Sequence, residues 1–209
     1  MNDQESSVPI KVIIFDLGNV IVFVDHMEIC ESISRWGGSQ QDIYQYIFME
    51  GIEEEFDRGA LTAHGFFTKL QTRFDLNLDF NHFKHIWSSG FVPNAEIFPV
   101  IKRLKSQYRL CLLSNTNQIH FETIQRDMPI LSEFEAFFLS FQIGVRKPDP
   151  AIFRQVLEYV KVMPEECIYI DDIESFIDAA TSLGMNGIVF RNVPDLIKRL
   201  GAMGIDRLP

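Results

Sequence analysis

The sequence has few cysteines and no long apolar run. Its three cysteines, Cys30, Cys111 and Cys167, are odd in number and far apart, which argues against a disulfide framework and against a zinc site built on paired cysteines. We expect reduced thiols in the protein core. No apolar stretch is long enough to span a bilayer, and residues 1–11 lack the apolar segment of a secretory signal peptide. We therefore expect a cytoplasmic protein that does not associate with membranes.

Positive charge is also scarce. The 209 residues include 19 lysines and arginines against 29 aspartates and glutamates, a formal net charge of −10. Such a chain has no overall field that attracts nucleic acid or an anionic membrane. Any phosphate must therefore be bound by a few local groups. We expect a monomer or a homodimer.

Five short runs of the chain are almost entirely apolar: residues 11–15, 109–113, 136–139, 167–170 and 187–190. Strands without alternation are typical of parallel sheets that helices cover on both faces. Apolar residues at helical spacing occur between these runs, in segments 96–107, 151–160 and 175–183. The alternation predicts an α/β fold with a doubly wound, Rossmann-like parallel sheet and right-handed crossovers.

A long segment separates the first two predicted strands. Residues 23–94 are far more than a crossover needs, and connections of this length are rarely structureless. The segment is rich in aromatic residues at helical spacing, and Thr62 is a good N-cap for one of its helices. We predict a helical domain at residues 23–94, inserted into a catalytic core made of residues 1–22 and 95–209.

Polar side chains follow four of the predicted strands. In strand order they are Asp16; Ser114 and Asn115; Lys147; and Asp171 and Asp172. In an open parallel sheet, ligands bind at the carboxyl ends of the strands. The order of these residues therefore predicts that they meet at one edge of the sheet.

Together these residue types suit phosphoryl transfer, which needs a nucleophile, a cation and donors for the phosphate oxygens. Asp16 can be the nucleophile, and carboxylates are ligands that Mg²⁺ prefers. Ser114 and the backbone N–H groups after it can bind phosphate, and Lys147 can neutralise charge. Taken singly, each residue is as well explained by a turn, a helix cap or a surface charge. Their conjunction favours an active site.

The sequence resembles the haloacid dehalogenase superfamily over nearly its whole length. Residues 15–20, 112–115, 146–148 and 169–172 resemble the four motifs of that family. Residues 16–20, 113–117 and 144–148 are similar to the subfamily IA branch that contains bacterial α-D-glucose-1-phosphate phosphatases. The resemblance implies a helical C1-type cap and Mg²⁺-dependent hydrolysis of small phosphorylated metabolites, sugar phosphates in particular, through an aspartyl-phosphate.

The resemblance also implies a role for each motif residue. The implied catalytic residues are Asp16 and Lys147. The implied substrate-binding residues are Ser114, Asn115 and Lys147. The implied magnesium ligands are Asp16, the backbone carbonyl of Gly18, Asp172 and, through the water shell of the metal, Asp171.

The chain departs from the family pattern at two places. The usual general acid, an aspartate two residues after the nucleophile, is replaced by Gly18, and losing general-acid catalysis typically costs about 10²–10⁴-fold in rate. A leaving group that needs little protonation, such as the anomeric oxygen of a sugar 1-phosphate, would compensate. Asp25 could also deliver the proton, although a capping or solvated role is the plainer interpretation. In the fourth motif, Ile173 and Phe176 replace polar residues and predict drier surroundings for the metal.

Two other functions remain open. A metal-independent haloacid dehalogenase would also lack the second aspartate, but it would leave the Asp171–Asp172 pair without a purpose. A phosphate-binding regulatory protein would explain Gly18 as lost catalysis. A requirement for Mg²⁺ and for Asp16 separates these functions from a phosphatase.

Overall fold

The computed structural model describes residues 8–206 and 208. Residues 1–7, which belong to the predicted core and to the N-terminal segment considered above, lie outside the described residues, as do residues 207 and 209. The strands are β1 (Val12–Phe15), β2 (Val22–Val24), β3 (Phe91–Pro93), β4 (Arg109–Ser114), β5 (Ala136–Leu139), β6 (Cys167–Asp171) and β7 (Asn186–Val189).

Helices connect these strands. They are α1 (His26–Ser34), α2 (Gln40–Tyr44), α3 (Ile52–Asp57), α4 (Ala63–Phe74), α5 (Phe80–Trp87), α6 (Phe98–Lys105), α7 (Gln118–Asp127), α8 (Ser140–Ile143), α9 (Pro150–Val160), α10 (Glu174–Thr181) and α11 (Val193–Ala202). Short 3₁₀ turns cover Ala95–Ile97, Pro129–Glu133 and Pro164–Glu166, and a π-helical turn covers Gln45–Met49.

Five strands form a parallel sheet in the order β5-β4-β1-β6-β7. The predicted α/β fold class is confirmed, and all five predicted strands are present with bounds that agree within one residue. The order of the strands reverses at β1, because the chain continues to β4 on one side and to β6 on the other. This reversal opens a crevice at the carboxyl ends of the strands.

Helices cover both faces of the sheet, which explains why its strands are apolar throughout. Successive side chains of β1 point to opposite faces. Ile13 and Phe15 belong to a hydrophobic cluster that also contains residues of α6, α7 and α11. Val12 and Ile14 belong to a second cluster, with residues of α9 and α10. Burial on both faces leaves no position in β1 where a polar side chain would reach water.

The predicted helices of the core agree with α6, α9 and α10, whereas the sequence patterns gave no indication of α7, α11 or the two short strands β2 and β3. The residues between 23 and 94, the helical insertion, form α1 to α5 around a hydrophobic cluster that also includes Ile119 of α7. Thr62 caps α4 by accepting a hydrogen bond from Gly65 N, as predicted. The division of the chain into two domains stays a prediction.

Other expectations concern the cysteines and the membrane. Cys30, Cys111 and Cys167 are buried and free, as predicted. In the part of the chain that the structure describes, no helix is both long enough and apolar enough to cross a membrane.

The helical insertion contacts the core closely at Gly59. This residue follows α3 with φ +69°, and a Cβ atom built on it would lie 2.3 Å from the carbonyl oxygen of Phe141 in α8. Any side chain at position 59 would therefore push the helical insertion away from the core. Gly51 has a similar backbone conformation, with φ +86°, but a Cβ atom there would meet nothing within 4 Å.

We expect Gly59→Ala to lower the free energy of unfolding by about 1–3 kcal/mol more than Gly51→Ala does. Both substitutions place alanine at positive φ, so their difference isolates the clash with the backbone of α8. Urea denaturation of the two variants measures this difference. Equal losses of stability would show that the close approach of Gly59 to Phe141 carries no energetic constraint.

Candidate active site

Three strands end side by side at the carboxyl edge of the sheet. The register places the last residue of β1 beside Leu112 on one side and Ile170 on the other. Asp16 follows β1 directly, Ser114 is the last residue of β4, and Asp171 is the last residue of β6. The uniform register therefore gathers these polar side chains at one place, as the sequence predicted.

Lys147 reaches this edge from the segment between α8 and α9. Its ammonium Nζ lies 2.7 Å from Asp16 Oδ1 and 2.6 Å from Asp171 Oδ2, and it also donates to the carbonyl oxygen of Leu113 at 3.3 Å. The side chain is buried. Burial lowers the pKa of Lys147, but the two carboxylates outweigh this effect and raise it above its ordinary value. All three donors of the ammonium are thus used within the protein.

Two aromatic rings complete the surroundings of this ammonium. The ring centroid of Phe176 lies 5.0 Å from Lys147 Nζ and that of Tyr169 lies 5.7 Å away, both within the range of cation–π attraction. Phe176 therefore places an apolar face against the lysine, in line with the drier surroundings expected there. Ile173 differs, since it is 42% exposed.

Asp171 is completely buried and has both of its oxygens occupied. Oδ2 accepts hydrogen bonds from Lys147 and from the Tyr169 hydroxyl, and Oδ1 accepts one from the backbone N–H of Ile173 at 2.9 Å. Tyr169 was not among the predicted site residues, although it lies two residues before Asp171 and side chains at that spacing on a strand share a face. Asp171 is placed to hold Lys147 and has little capacity left for a metal ion.

Asp16 and Asp172 lie closer to solvent and face a shared cavity. Asp16, Asp171 and Asp172 can each point one oxygen into a space where these atoms lie within 4.8 Å of one another. Among the described residues, this is the one cluster of three such side chains. Asn19 Nδ2 donates to Asp172 Oδ2 at 3.2 Å and orients that carboxylate.

Burial and mutual repulsion make it difficult for these carboxyls to ionise unaided. Burial raises the pKa of Asp16 to about 7, although Lys147 acts in the opposite direction. Burial, followed by the charge of Asp171, also raises the pKa of Asp172. A divalent cation would reverse both effects, because it stabilises the charged forms. The oxygen ligands and their excess negative charge fit a hard cation such as Mg²⁺.

Ser114 and Asn115 line the same cavity, but their side chains are placed differently. Ser114 is buried, and its hydroxyl makes one hydrogen bond among the described residues, to the backbone oxygen of Asn115 at 3.4 Å. Asn115 Nδ2 donates to the carbonyl oxygen of Lys147 at 3.0 Å, and Asn115 Oδ1 accepts from the Lys147 N–H at 2.8 Å. The amide of Asn115 is therefore engaged in fixing the backbone of Lys147. The part of Asn115 that remains for substrate binding is its own backbone.

Gly18 and Asp25 are the two residues that bear on the missing general acid. Gly18 lines the cavity, and a Cβ atom there would meet nothing within 4 Å. Lack of space therefore does not explain the absence of an aspartate. Asp25 caps α1, since its Oδ1 accepts a hydrogen bond from Glu28 N at 3.0 Å. The capping interpretation of Asp25 accounts for its position, and it is not among the described residues that line the cavity.

The cavity has a volume of about 210 Å³ and lies between the sheet edge and the helical insertion. The insertion contributes one wall, here called the insertion wall, formed by Val24, His26, Glu53, Asp57 and Phe91. Sequence reasoning assigned no function to these residues.

Asp57 links the insertion wall to the core. It is buried, and its Oδ1 accepts from Asn117 Nδ2 at 3.2 Å while its Oδ2 lies 3.6 Å from the guanidinium of Arg146. Arg146 also pairs with Glu54 at 3.2 Å. Burial raises the pKa of Asp57 to about 6, and Arg146 acts in the opposite direction. These contacts hold the helical insertion against the residues that flank Lys147.

His120 lines the cavity from α7 and is fully engaged in hydrogen bonds. Asn117 Nδ2 donates to its Nδ1 at 3.2 Å, so the proton lies on Nε2, which donates to the carbonyl oxygen of Trp87 at 2.9 Å. Burial lowers the pKa of His120 to about 3. This histidine is thus neutral and joins the core to α5.

We expect Tyr169→Phe to lower the free energy of unfolding by about 1–3 kcal/mol, because it removes a hydrogen bond to the buried carboxylate of Asp171 but keeps the ring. Tyr159→Phe is the matched control, since Tyr159 is 49% exposed, and a surface change of this kind is expected to stay within about 0.5 kcal/mol. Chemical denaturation compares the two. A loss no larger than that of the control would mean that the hydroxyl does not support Asp171.

Comparison with known proteins places this geometry in a family. Residues 10–184 match the model of the haloacid dehalogenase-like hydrolases. The chain is 29% identical over 184 residues to the D-ribitol-5-phosphate phosphatase of Bacteroides thetaiotaomicron. The aligned region covers 84% of this chain and 89% of that protein.

Solved structures agree with the sequence comparison. A wild-type haloacid dehalogenase family enzyme of Bacteroides thetaiotaomicron, in complex with magnesium and inorganic phosphate, superposes with a TM-score of 0.81 at 26% identity, over 90% of this chain and 98% of that chain. A haloacid dehalogenase-like hydrolase of Porphyromonas gingivalis gives a TM-score of 0.83 at 26% identity, over 96% and 100% of the two chains. Since the family model covers most of its length, the chain belongs to the haloacid dehalogenase-like hydrolases.

Proposed function

We propose that this hydrolase is a Mg²⁺-dependent phosphatase of small phosphorylated metabolites, with Asp16 as the nucleophile. The observation that carries the proposal is the buried Lys147 ammonium, which joins Asp16 to Asp171 beside the carboxylate of Asp172, which faces the cavity. Two comparisons support it. One relative is named a phosphatase of D-ribitol 5-phosphate, and a similar structure holds magnesium and inorganic phosphate.

The proposed reaction has two steps. An oxygen of Asp16 attacks the phosphorus atom, the bond from phosphorus to the alcohol oxygen breaks, and the alcohol leaves with a proton taken from solvent. Water then attacks the phosphorus of the aspartyl-phosphate, which releases inorganic phosphate and restores Asp16. Mg²⁺, when bound, would neutralise charge on the phosphate and on the nucleophile.

The protein side chains keep this geometry fixed. Lys147 holds Asp16 in place and balances its charge, and Asp171 fixes Lys147 from the other side. Ser114 donates its hydroxyl to a phosphate oxygen. Asp172, oriented by Asn19, and the backbone carbonyl of Gly18 serve as metal ligands. Prearranged charges of this kind are usually the largest contribution to catalysis of phosphoryl transfer.

We further propose that residues 23–94 act as a cap over the site. The insertion wall faces the catalytic groups across the cavity, and closure of such an element excludes water and completes the site around the substrate. The substrates of this proposal are sugar phosphates, and anomeric esters among them are preferred because position 18 provides no acid for the leaving oxygen.

The function is tested by hydrolysis of p-nitrophenyl phosphate with and without Mg²⁺. We expect a chelator to abolish hydrolysis and Asp16→Asn to reduce kcat/KM by at least about 10³-fold, since the nucleophile is lost. The matched control is Asp178→Asn. Asp178 is exposed on α10 and does not line the cavity, so this substitution makes the same change of charge away from the site. Hydrolysis that needs no metal, or that survives Asp16→Asn, contradicts the proposal.

The leaving-group explanation for Gly18 predicts that a sugar 1-phosphate has a higher kcat/KM than the 6-phosphate of the same sugar. The structure leaves room for a side chain at position 18, so we expect Gly18→Asp to provide an acid. The ratio of kcat/KM for the 1-phosphate to kcat/KM for the 6-phosphate should then fall by about tenfold or more. Gly18→Ala adds no acid and is expected to leave the ratio unchanged. Equal or reversed rates for the two esters in the unaltered chain would remove this explanation.

A further inference from the structure

Two polar side chains of the insertion wall have no hydrogen-bond partner among the described residues. Glu53, near the start of α3, lines the cavity and forms neither a hydrogen bond nor an ion pair there. His26, the first residue of α1, stacks its ring on Phe48 with 4.5 Å between centroids, and its ring nitrogens remain unbonded. Polar groups that line a cavity without partners are available to a ligand.

The remaining polar groups on this side of the cavity are already engaged. Asp57 is bonded to Asn117 and paired with Arg146, and both ring nitrogens of His120 have partners. A substrate can therefore form new hydrogen bonds to the insertion wall through Glu53 and His26 without breaking bonds within the protein.

Both cationic side chains that line the cavity in the described part of the chain are paired with carboxylates. The lysine and arginine side chains that line it in the described chain are Arg146 and Lys147. Arg146 is paired with Glu54 and Asp57, and Lys147 is paired with two carboxylates at the sheet edge. A second anionic group on the substrate would be buried without a counter-charge beside Glu53 and Asp57, the two carboxyls of α3 that line the cavity, which is strongly unfavourable.

The protonation of the two unbonded groups agrees with a neutral ligand. Burial, followed by the charge of Asp57, raises the pKa of Glu53 well above its usual range, while Arg146 acts in the opposite direction. Burial lowers the pKa of His26. Both shifts favour the uncharged form of the side chain, and in that form each can donate and accept hydrogen bonds. Hydroxyl groups, which also donate and accept, are the matching chemistry.

We propose that Glu53, together with His26, selects phosphate esters of neutral, hydroxylated alcohols and excludes esters whose alcohol carries a second phosphate or a carboxylate. The proposal rests on the phosphatase function proposed above and names specificity-determining residues for it. Glu53 contacts the alcohol and takes no part in the bonds that form and break at phosphorus.

The proposal is tested with the full chain and Mg²⁺ by measuring kcat/KM for a polyol monophosphate and for the bisphosphate of the same polyol. In the unaltered chain we expect the monophosphate to be preferred by at least about tenfold, because the second anion is buried unpaired. Glu53→Lys supplies the missing cation and is expected to reduce this preference by about tenfold or more. The matched control is Glu55→Lys, which makes the same substitution on the outer side of α3, where Glu55 pairs with Lys69.

A second variant keeps the test decisive if Glu53→Lys does not fold. Glu53→Leu removes hydrogen bonding without adding charge, and we expect it to raise KM for the polyol monophosphate by about tenfold with a smaller effect on kcat. Preservation of KM within about twofold in Glu53→Leu would overturn the proposal.

The outcomes separate the two levels of inference. Equal kcat/KM for monophosphate and bisphosphate in an active, Mg²⁺-dependent chain overturns the role of Glu53 alone. An equal change of preference in Glu53→Lys and Glu55→Lys overturns it as well, because a general effect of charge would then suffice. Absence of all Mg²⁺-dependent hydrolysis of p-nitrophenyl phosphate in the unaltered chain overturns the phosphatase function and this proposal with it.

Discussion

The arrangement of the site depends on one buried ammonium between two buried carboxylates. Lys147 contacts Asp16 and Asp171 at hydrogen-bond distance, and all three side chains are almost completely removed from water. Removing one member of such a group leaves an uncompensated charge, which typically costs about 3–5 kcal/mol. The sheet edge can carry this acidic cluster because the segment after α8 delivers the lysine. The two parts of the chain therefore constrain each other.

Several contacts make that delivery reliable. The Asn115 side chain bonds both the N–H and the C=O of Lys147, and the Tyr169 hydroxyl donates to the Asp171 oxygen that also accepts from Lys147. Lys147 is thus fixed at its main chain and at its charged end. Long flexible side chains lose considerable entropy when they are held in one conformation. Here the entropy of the Lys147 side chain is lost when the protein folds, and no further loss accompanies substrate binding.

Much of this could be predicted from the sequence, and the limits have physical causes. The strands were predictable because burial on both faces leaves β1 and its neighbours uniformly apolar, and parallel pairing then places Asp16, Ser114 and Asp171 at one edge. The engagement of the Asn115 amide was not predictable, because its partner lies 32 residues away in the chain. The insertion wall was equally hidden, since the orientation of α1 and α3 over the sheet depends on packing between distant segments.

The short ribbon of β2 and β3 has a consequence for how this chain can change during evolution. Val22 pairs with Pro93, and the N–H of Asn94 donates to the carbonyl oxygen of Ile21 at 2.9 Å, so the helical insertion leaves the core and returns to it at adjacent points. When the two ends of a segment are joined in this way, the cost of closing the loop grows only slowly with its length. Residues between these ends can be lengthened, shortened or exchanged while the sheet and its charged edge are preserved. Changes in the insertion wall can therefore reshape the cavity while the strand register that places Asp16, Ser114 and Asp171 is kept.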